Sequence, residues 1–99
     1  MEPGTPSRSF AHCVAESVNQ EVRLRGWIHR LRVLGQTSFL ILRDCSGETQ
    51  CVVSSDAIKD LHLKVEDVVE VRGRVRADSR SKSAYEVDIC EVAVLNRAA

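Results

Sequence analysis

The sequence predicts a small all-β barrel of five strands, with one short helix between the third and the fourth strand. Its 99 residues, 43% of them hydrophobic, can bury one core but not two, so we expect a single domain. Apolar and polar residues alternate through several segments, which is typical of half-buried strands. Five such segments, and one with helical apolar spacing, carry the prediction.

The first strand begins at Glu21, where apolar residues alternate with arginines. Gly26 interrupts the alternation, and a glycine inside a long strand often marks a bulge or bend by which a sheet curls into a barrel. Gly35 supplies the turn that follows. Upstream, residues 1–9 contain two prolines and a glycine and are interpreted as a flexible leader, which leaves residues 10–99 for the domain.

A hairpin, a helix and two further strands complete the fold. Their predicted bounds are Ser38–Asp44 and Thr49–Ser54 for the hairpin, Ser55–Lys64 for the helix, Asp67–Ala77 for the fourth strand and Ala84–Leu95 for the fifth. In the fifth strand the apolar positions change phase, which predicts a bulge near Cys90 and Glu91. This order is that of the OB-fold, a partly open barrel that commonly binds oligonucleotides across its second and third strands. An SH3-like barrel is the structural alternative, but it lacks an obligatory helix at this point.

The register of the hairpin decides which side chains face outward. A four-residue loop at Cys45–Glu48 pairs Arg43 with Gln50. The outer face then carries Phe39, Ile41, Arg43, Gln50, Val52 and Ser54. A ring can stack on an unpaired base and an amide can both donate to and accept from its edge, so this face suits a nucleotide. The alternatives are a small apolar cluster around Phe39, or an odd-numbered loop that buries it.

Arginine dominates the basic residues and occurs in two runs. The chain has 14 basic and 14 acidic residues, so no large net field favours nonspecific coating of nucleic acid. Eleven of the basic residues are arginine, whose planar fork pairs with phosphate and stacks on bases. This favours a nucleic-acid partner, although on composition alone arginines that merely solvate a sheet face are an equal alternative.

No catalytic or metal-binding pattern emerges from the sequence. The three histidines have no serine or cysteine partner at a diagnostic spacing, and the four cysteines include no Cys-x-x-Cys pair. The N-terminus offers no apolar signal segment, so we expect reduced thiols and a cytoplasmic location. Cys51 and Cys90 lie in apolar runs and are expected in the core. No stretch approaches the roughly 20 apolar residues of a membrane span, so no membrane partner is expected.

Part of the first strand, the hairpin and the end of the chain together form a specific pattern. It consists of Gly26-Trp27-Ile28-His29-Arg30-Leu31-Arg32, then Gly35, Phe39, Arg43-Asp44, Gly47 and Gln50, and finally Val94-Leu95-Asn96-Arg97-Ala98. This pattern resembles the anticodon-binding domain of aspartyl- and asparaginyl-tRNA synthetases over about residues 10–99. The closing run is similar to the end of that domain in aspartyl enzymes and favours an aspartyl enzyme, of the archaeal type that His29 resembles. The His-Arg-Leu-Arg and Gln-Cys-Val-Val segments resemble asparaginyl enzymes, which are the alternative.

The resemblance implies roles for individual residues. Phe39 matches the phenylalanine that stacks on the central uridine of the anticodon, and Gln50 matches the glutamine that bonds to a neighbouring base edge. Arg30 and Arg32 fall where the family places basic contacts to the anticodon loop. Glu86 matches a glutamate near the first anticodon base.

Five further positions are expected at the same site on weaker grounds. Arg43 belongs to the outer face of the hairpin, and Arg74 and Arg76 are expected to contact phosphates from their position alone, with solvation as the alternative. His29 resembles relaxed aspartyl enzymes, which also charge the asparagine tRNA. Lys82 resembles discriminating enzymes instead.

The catalytic motifs of class II synthetases, which bind ATP and the amino acid, are absent from this chain. The resemblance implies that ATP and magnesium belong to that catalytic domain and that this domain needs no cofactor. We expect a fragment of an aspartate–tRNA ligase or a free-standing paralogue, with tRNA-Asp as the partner and tRNA-Asn left open. Synthetases of this class are dimers mainly through their catalytic domains, so the full enzyme is expected to be a homodimer and the isolated domain a monomer.

Three functions remain open from the sequence. The first is sequence-selective binding of a tRNA anticodon loop, the second is general binding of single strands without tRNA preference, and the third is a protein-interaction module that has lost RNA binding. The combination of Phe39, Arg43 and Gln50 favours the first.

Overall fold

Five long strands, a two-residue strand at Arg8–Ser9 and two short helical segments make up the described part of the chain, which in this computed structural model covers residues 8–9, 18–77 and 85–98. The strands are β1 Glu21–Leu34, β2 Thr37–Asp44, β3 Gly47–Ser54, β4 Val68–Ala77 and β5 Tyr85–Asn96. Between β3 and β4 lie the helix α1, Ser55–Ile58, and a 3-10 helix, Lys59–Leu61. Of the leader expected at residues 1–9, only Arg8–Ser9 is described, and this short strand pairs in parallel with Arg23 and Leu24 of β1. Residues 1–7 lie outside the described residues, so the boundary of the domain stays a prediction.

The barrel closes because β1 is long enough to pair with two neighbours. Its first half is antiparallel to β4 and its second half is antiparallel to β2, with Trp27 paired to both. β2 pairs with β3, β3 meets β5 in a short parallel contact through Cys51 and Val52, and β5 pairs with β4. The ring order β1-β2-β3-β5-β4 confirms the predicted OB-fold with its helix between the third and fourth strands.

Gly26 lies where β1 passes from one neighbour to the other. A Cβ atom at this position would overlap the carbonyl oxygen of Arg43 on β2, so the backbones approach here as only glycine allows. The bulge that accompanies the bend lies further along β1. Ile28 and Arg30 pair with consecutive residues of β2, which leaves His29 as the extra residue.

The bulge predicted in the fifth strand is confirmed. Arg72 pairs with Glu91 and Gly73 pairs with Ile89, so Cys90 is the extra residue of β5. The bulge turns this side chain outward, and the prediction that Cys90 lies in the core is therefore wrong. Its Sγ lies 3.3 Å from the carbonyl oxygen of Arg72.

Cys51, by contrast, is fully buried as expected. Burial, and after it the negative charge of Glu86, raises the pKa of the Cys51 thiol to about 12. Cys45, Cys51 and Cys90 are all free thiols. The fourth cysteine lies outside the described residues.

The hairpin register differs from the predicted one by two residues. Arg43 lies opposite Glu48, and Gln50 lies opposite Ile41. A shift of two preserves the alternation of side chains, so the assignment of faces is confirmed even though the predicted pairing of Arg43 with Gln50 is wrong.

The turn explains this shift. The Asp44 carboxylate accepts hydrogen bonds from the backbone nitrogens of Ser46, at 2.8 Å, and Gly47, at 3.2 Å. This closes a two-residue loop at Cys45 and Ser46 in place of the expected loop of four. Asp44, which the sequence suggested only as the end of a strand, therefore sets the register.

The core is filled from alternate positions of all five strands and from the helix. Its residues are Val22, Leu24, Ile28, Leu40, Leu42, Cys51, Val53, Ile58, Val69, Val71, Val75, Val87 and Ile89. The helical segment is shorter than the predicted Ser55–Lys64, because His62 takes a left-handed conformation with a φ of 50° directly after Leu61. Within the described ranges, neither helical segment is long and apolar enough to cross a membrane.

A buried carboxylate holds the end of the domain. Asp67 is fully buried and accepts hydrogen bonds from the backbone nitrogens of Ala98, at 2.7 Å, and Lys64, at 2.9 Å, and from Arg97 Nη1 at 3.3 Å. The Ala98 amide contributes most to lowering the pKa of Asp67; the Lys64 amide and Arg97 act in the same direction, while burial opposes them. Asp67 therefore anchors the last described residues, Arg97 and Ala98, to the barrel.

Candidate nucleic-acid interface

The outer surface of β1, β2 and β3 forms a groove of about 320 Å³. Its walls are Arg30, Arg32, Leu34, Phe39, Ile41 and Gln50. Four of the residues predicted from the sequence therefore meet in one place: Arg30, Arg32, Phe39 and Gln50.

The strand register arranges these side chains in two rows across the sheet. Arg30 lies opposite Ile41, which lies opposite Gln50. Arg32 lies opposite Phe39 in the next row. Residues paired across strands point to the same face, so each row presents an arginine beside an apolar side chain.

The bulge at His29 is what directs the two arginines outward. Before the bulge, the even-numbered residues of β1, such as Leu24 and Ile28, are buried. Continued alternation would turn Arg30 and Arg32 into the core as well. One extra residue reverses the phase, so that both arginines are exposed while Leu31 packs against the core.

Among the described residues, the arginines of this face have no acidic partner. Arg30, Arg32 and Arg43 make no ion pair or hydrogen bond with any residue in the described ranges. Elsewhere on the barrel Arg25 pairs with Glu70, with 2.6 Å between Nε and Oε1. The positive charge beside the groove is therefore uncompensated within the described chain.

Gln50 is held by a buried carboxylate on the neighbouring strand β5. Its Nε2 donates a hydrogen bond to Glu86 Oε2 at 3.2 Å, and Arg76 Nη2 donates to Glu86 Oε1 at 3.1 Å. The Glu86 side chain is only 7% exposed. Glu86, expected near a base, thus lies beside Gln50 and outside the lining of the groove.

Arg43 and His29 lie beyond one end of the groove. Arg43 is exposed and is paired in register with Trp27 on one side and Glu48 on the other. His29 Nε2 lies 3.5 Å from Glu48 Oε2. These two predicted residues share the outer sheet surface near the groove without lining it.

The remaining predicted contacts are placed differently. Arg74 donates a hydrogen bond to the carbonyl oxygen of Asn19 at 2.6 Å, and Arg76 is paired with Glu86, so both are already engaged within the chain. Lys82 lies outside the described residues. The phosphate contacts of Arg74 and Arg76 stay predictions.

A second groove, of about 440 Å³, opens past Val52 towards α1. It is lined by Gln36, Thr37, Val52, Val53, Ser54, Asp56, Arg76 and Asp88. With two carboxylates and one arginine, its lining is of mixed charge, unlike that of the first groove.

Leu34 and Ile41 line the first groove but were not predicted as site residues. The alternation of β2 placed Ile41 on the correct face, but nothing about its apolar side chain indicated that it lines a binding site. Leu34 is 51% exposed and is the last residue of β1, directly before the turn that leads into β2. Together with Phe39 these side chains make an apolar floor between the charged and polar walls.

The groove offers the groups that a single nucleic-acid strand would contact. The ring can stack, the amide can bond to a base edge and the guanidinium groups can neutralise phosphate. In the part of the chain that the structure describes, no three histidine, cysteine or acidic side chains are grouped so that they could hold a metal ion.

Comparison with known proteins places the chain among similar domains. A family model described as an OB-fold nucleic acid binding domain, of the tRNA anti-codon type, matches residues 22–95. An aspartate–tRNA(Asp/Asn) ligase of Methanococcus maripaludis is 36% identical over 91 residues, which are 86% of this chain and 21% of that protein. An asparagine–tRNA ligase of Thermus thermophilus is 36% identical over 96 residues, 91% of this chain and 22% of that protein.

A solved structure gives the same result for the fold. The crystal structure of asparaginyl-tRNA synthetase from Pyrococcus horikoshii is similar with a TM-score of 0.82 and 30% identity, over 92% of this chain and 23% of that one. The chain thus spans about a fifth of the length of the curated relatives it matches.

Proposed function

This chain belongs to the tRNA anti-codon family of OB-fold nucleic acid binding domains, and we propose that it recognises the unpaired anticodon loop of a tRNA. The observation that carries the proposal is the groove in which Phe39 and Gln50 stand beside Arg30 and Arg32, two arginines without an acidic partner in the described chain.

The arginines supply the part of the affinity that does not depend on sequence. A guanidinium group with no intramolecular partner pays no cost for breaking an ion pair when it meets a phosphate. Each phosphate that it neutralises releases a counterion, which makes the binding sensitive to salt. Arg30 and Arg32 lie in adjacent rows of the sheet, as contacts to successive phosphates of one strand require.

Phe39 and Gln50 supply the part that reads bases. Phe39 is half-buried, so its ring is held in place while one side remains available at the groove. Base stacking on such a ring contributes about 1 to 3 kcal/mol. Gln50 lies one row away on β3, and its amide would bond to the edge of an adjacent base.

The relatives suggest which tRNA is read and in what protein. Both ligases act on tRNAs for aspartate or asparagine by their names. We take tRNA-Asp as the partner, with tRNA-Asn as the alternative. The complete protein would then be an aspartate–tRNA ligase, whose catalytic domain would bind ATP and magnesium.

The test is binding of an anticodon stem-loop carrying GUC to the wild-type chain and to Phe39→Ala. Loss of stacking is expected to weaken binding by about 1 to 3 kcal/mol, roughly 5- to 150-fold. Val33→Ala is the matched control, because Val33 is an apolar residue that is 61% exposed and does not line the groove. Thermal melting of each variant checks that it is folded.

Three outcomes separate the possible functions. A folded Phe39→Ala chain that binds as tightly as the wild type contradicts base stacking on Phe39. Displacement of the stem-loop by an unrelated single strand of equal length favours a general single-strand module. No binding to any RNA at low salt favours a protein-interaction module.

A further inference from the structure

We infer that Glu86 is a positioning residue: it orients the amide of Gln50 so that Oε1 faces the groove, which then selects a base edge that donates a hydrogen bond. The inference rests on the proposed function, because it concerns the same groove. The resemblance implied only that Glu86 lies near the first anticodon base, and the inference gives it a part that acts through Gln50.

The argument begins with the chemistry of the two side chains. A glutamine amide has a donating nitrogen and an accepting oxygen of similar size, and it can turn over to present either. An ionised carboxylate only accepts. Because Glu86 Oε2 lies 3.2 Å from Gln50, the amide must turn its Nε2 towards Glu86, and Oε1 then points away. Oε1 makes no hydrogen bond with any other described residue.

Glu86 is itself anchored. Its second oxygen, Oε1, accepts a hydrogen bond from Arg76 Nη2 at 3.1 Å, so both oxygens are used. Its side chain is 7% exposed, compared with 23% for Glu70, which pairs with arginines at the surface. Removing a partner from such a buried, charge-paired group is costly, so the carboxylate is held more firmly than a surface one.

The strand register places Glu86 beside Gln50. Cys51 of β3 pairs with Val87 of β5, and both side chains lie in the core. Gln50 and Glu86 directly precede this pair, so alternation turns both side chains to the outer face of the sheet. Glu86 does not line the groove, so its contact with the groove runs through Gln50.

The consequence is a preference among bases. An amide fixed with its oxygen outward accepts from an edge that carries N–H, such as the Watson–Crick edge of uracil or guanine. An edge that presents only acceptors there leaves Oε1 unpaired. An amide free to turn over would accommodate both edges.

The first experiment needs no RNA. The two Nε2 protons of Gln50 are followed by NMR of the ¹⁵N-labelled chain and assigned by their absence in Gln50→Ala. In the wild type we expect one proton to be shifted and slow to exchange. Glu86→Gln keeps the shape but lets residue 86 donate or accept, so this signature should disappear.

The matched control is Glu70→Gln, which removes one negative charge and an arginine pair away from the groove. Its Gln50 signals should equal those of the wild type. If Glu86→Gln also leaves these signals unchanged, the positioning role is overturned.

The second experiment measures discrimination between bases. Stem-loops with GUC, and with each anticodon base replaced in turn, are titrated against wild type, Glu86→Gln, Gln50→Ala and the double variant. At the position that Gln50 reads, we expect a preference of about tenfold in the wild type. It should fall to about twofold in Glu86→Gln, with no further loss in the double variant. Melting temperatures confirm that each variant is folded.

Different results would contradict the positioning role of Glu86 and the proposed function. If Glu86 touched a base directly, the two substitutions would affect different anticodon positions and their effects would multiply, which would overturn the positioning role. If the wild-type chain bound no stem-loop, the proposed function would fail. The NMR signals of Gln50 would then still decide whether Glu86 orients it.

Discussion

The two halves of β1 both carry two arginines, but these arginines have different surroundings. In the first half, Arg23 and Arg25 lie near Glu70 of β4, at 3.8 Å and 2.6 Å between Nε and Oε1. In the second half, Arg30 and Arg32 border the groove and pair with no acidic residue in the described ranges. Arginines recur at the same spacing of two in both halves, but only the second pair is available to a ligand.

The difference comes from the neighbouring strand. β4 presents Glu70 opposite Arg25, whereas β2 presents Phe39 and Ile41 opposite Arg32 and Arg30. Ion pairs near the surface contribute only about 0 to 1 kcal/mol to stability, so the main effect of pairing is to neutralise the first half. An arginine-rich strand thus indicates a ligand site only where the adjacent strand supplies no acid.

A substitution at Gly26, where the two halves of β1 meet, should have the largest effect on stability. Gly26→Ala places a Cβ against the Arg43 carbonyl and pushes β1 from β2, so we expect a loss of about 3 kcal/mol in the free energy of unfolding. Denaturant unfolding measures it. Gly35→Ala is the control, because its Cβ would meet open space and only the φ of 65° is strained, at a cost of about 1 kcal/mol. Equal stability of Gly26→Ala and wild type would contradict the close approach.

The ion pair between Asp67 and Arg97 tests whether an arginine that is paired within the chain stabilises the fold. The pKa of Asp67 is lowered in the folded chain, first by the Ala98 amide, so the unfolded chain takes up a proton at higher pH than the folded one. The stabilisation is complete above about pH 4 and is lost as the pH falls through the lower folded-state pKa.

Asp67→Asn should therefore lower the melting temperature at neutral pH and flatten its decline below about pH 4. Melting curves from pH 7 to 2.5 measure this. Binding of the stem-loop at neutral pH should be unchanged at temperatures where the variant is folded. An acid-dependent melting profile identical to that of the wild type would contradict the role of this carboxylate.

The third prediction compares the halves directly through RNA binding. Arg30→Ala and Arg32→Ala should each weaken binding of the stem-loop about tenfold and reduce the dependence of log K on log salt by about 0.7 per lost phosphate contact. Arg25→Ala, the control from the paired half, should stay within about twofold. An equal effect of Arg25→Ala and Arg32→Ala in titrations at two salt concentrations would remove the distinction between the halves.

Much of the fold could be predicted because consecutive residues of a strand alternate between the buried and the exposed face. The slip of apolar phase located the bulge at Cys90, although it did not show that the bulge would expose this side chain. Alternation also assigned Phe39 and Gln50 to one face despite a register error of two, since a shift of two returns every side chain to the same side. The prediction of the turn length was wrong, because the carboxylate of Asp44 closes a shorter loop than the residue pattern indicated.

The sequence by itself determined the five strands, the place of the helix and the outward position of Phe39 and Gln50, because these follow from local alternation. Only the tertiary structure decided which arginines pair with acids among the described residues, that the bulge at His29 turns Arg30 outward, and that Glu86 lies buried beside Gln50. The physical reason is distance along the chain. Charge pairing and burial depend on strands that meet only when the barrel closes, and these contacts join residues 36 to 51 positions apart.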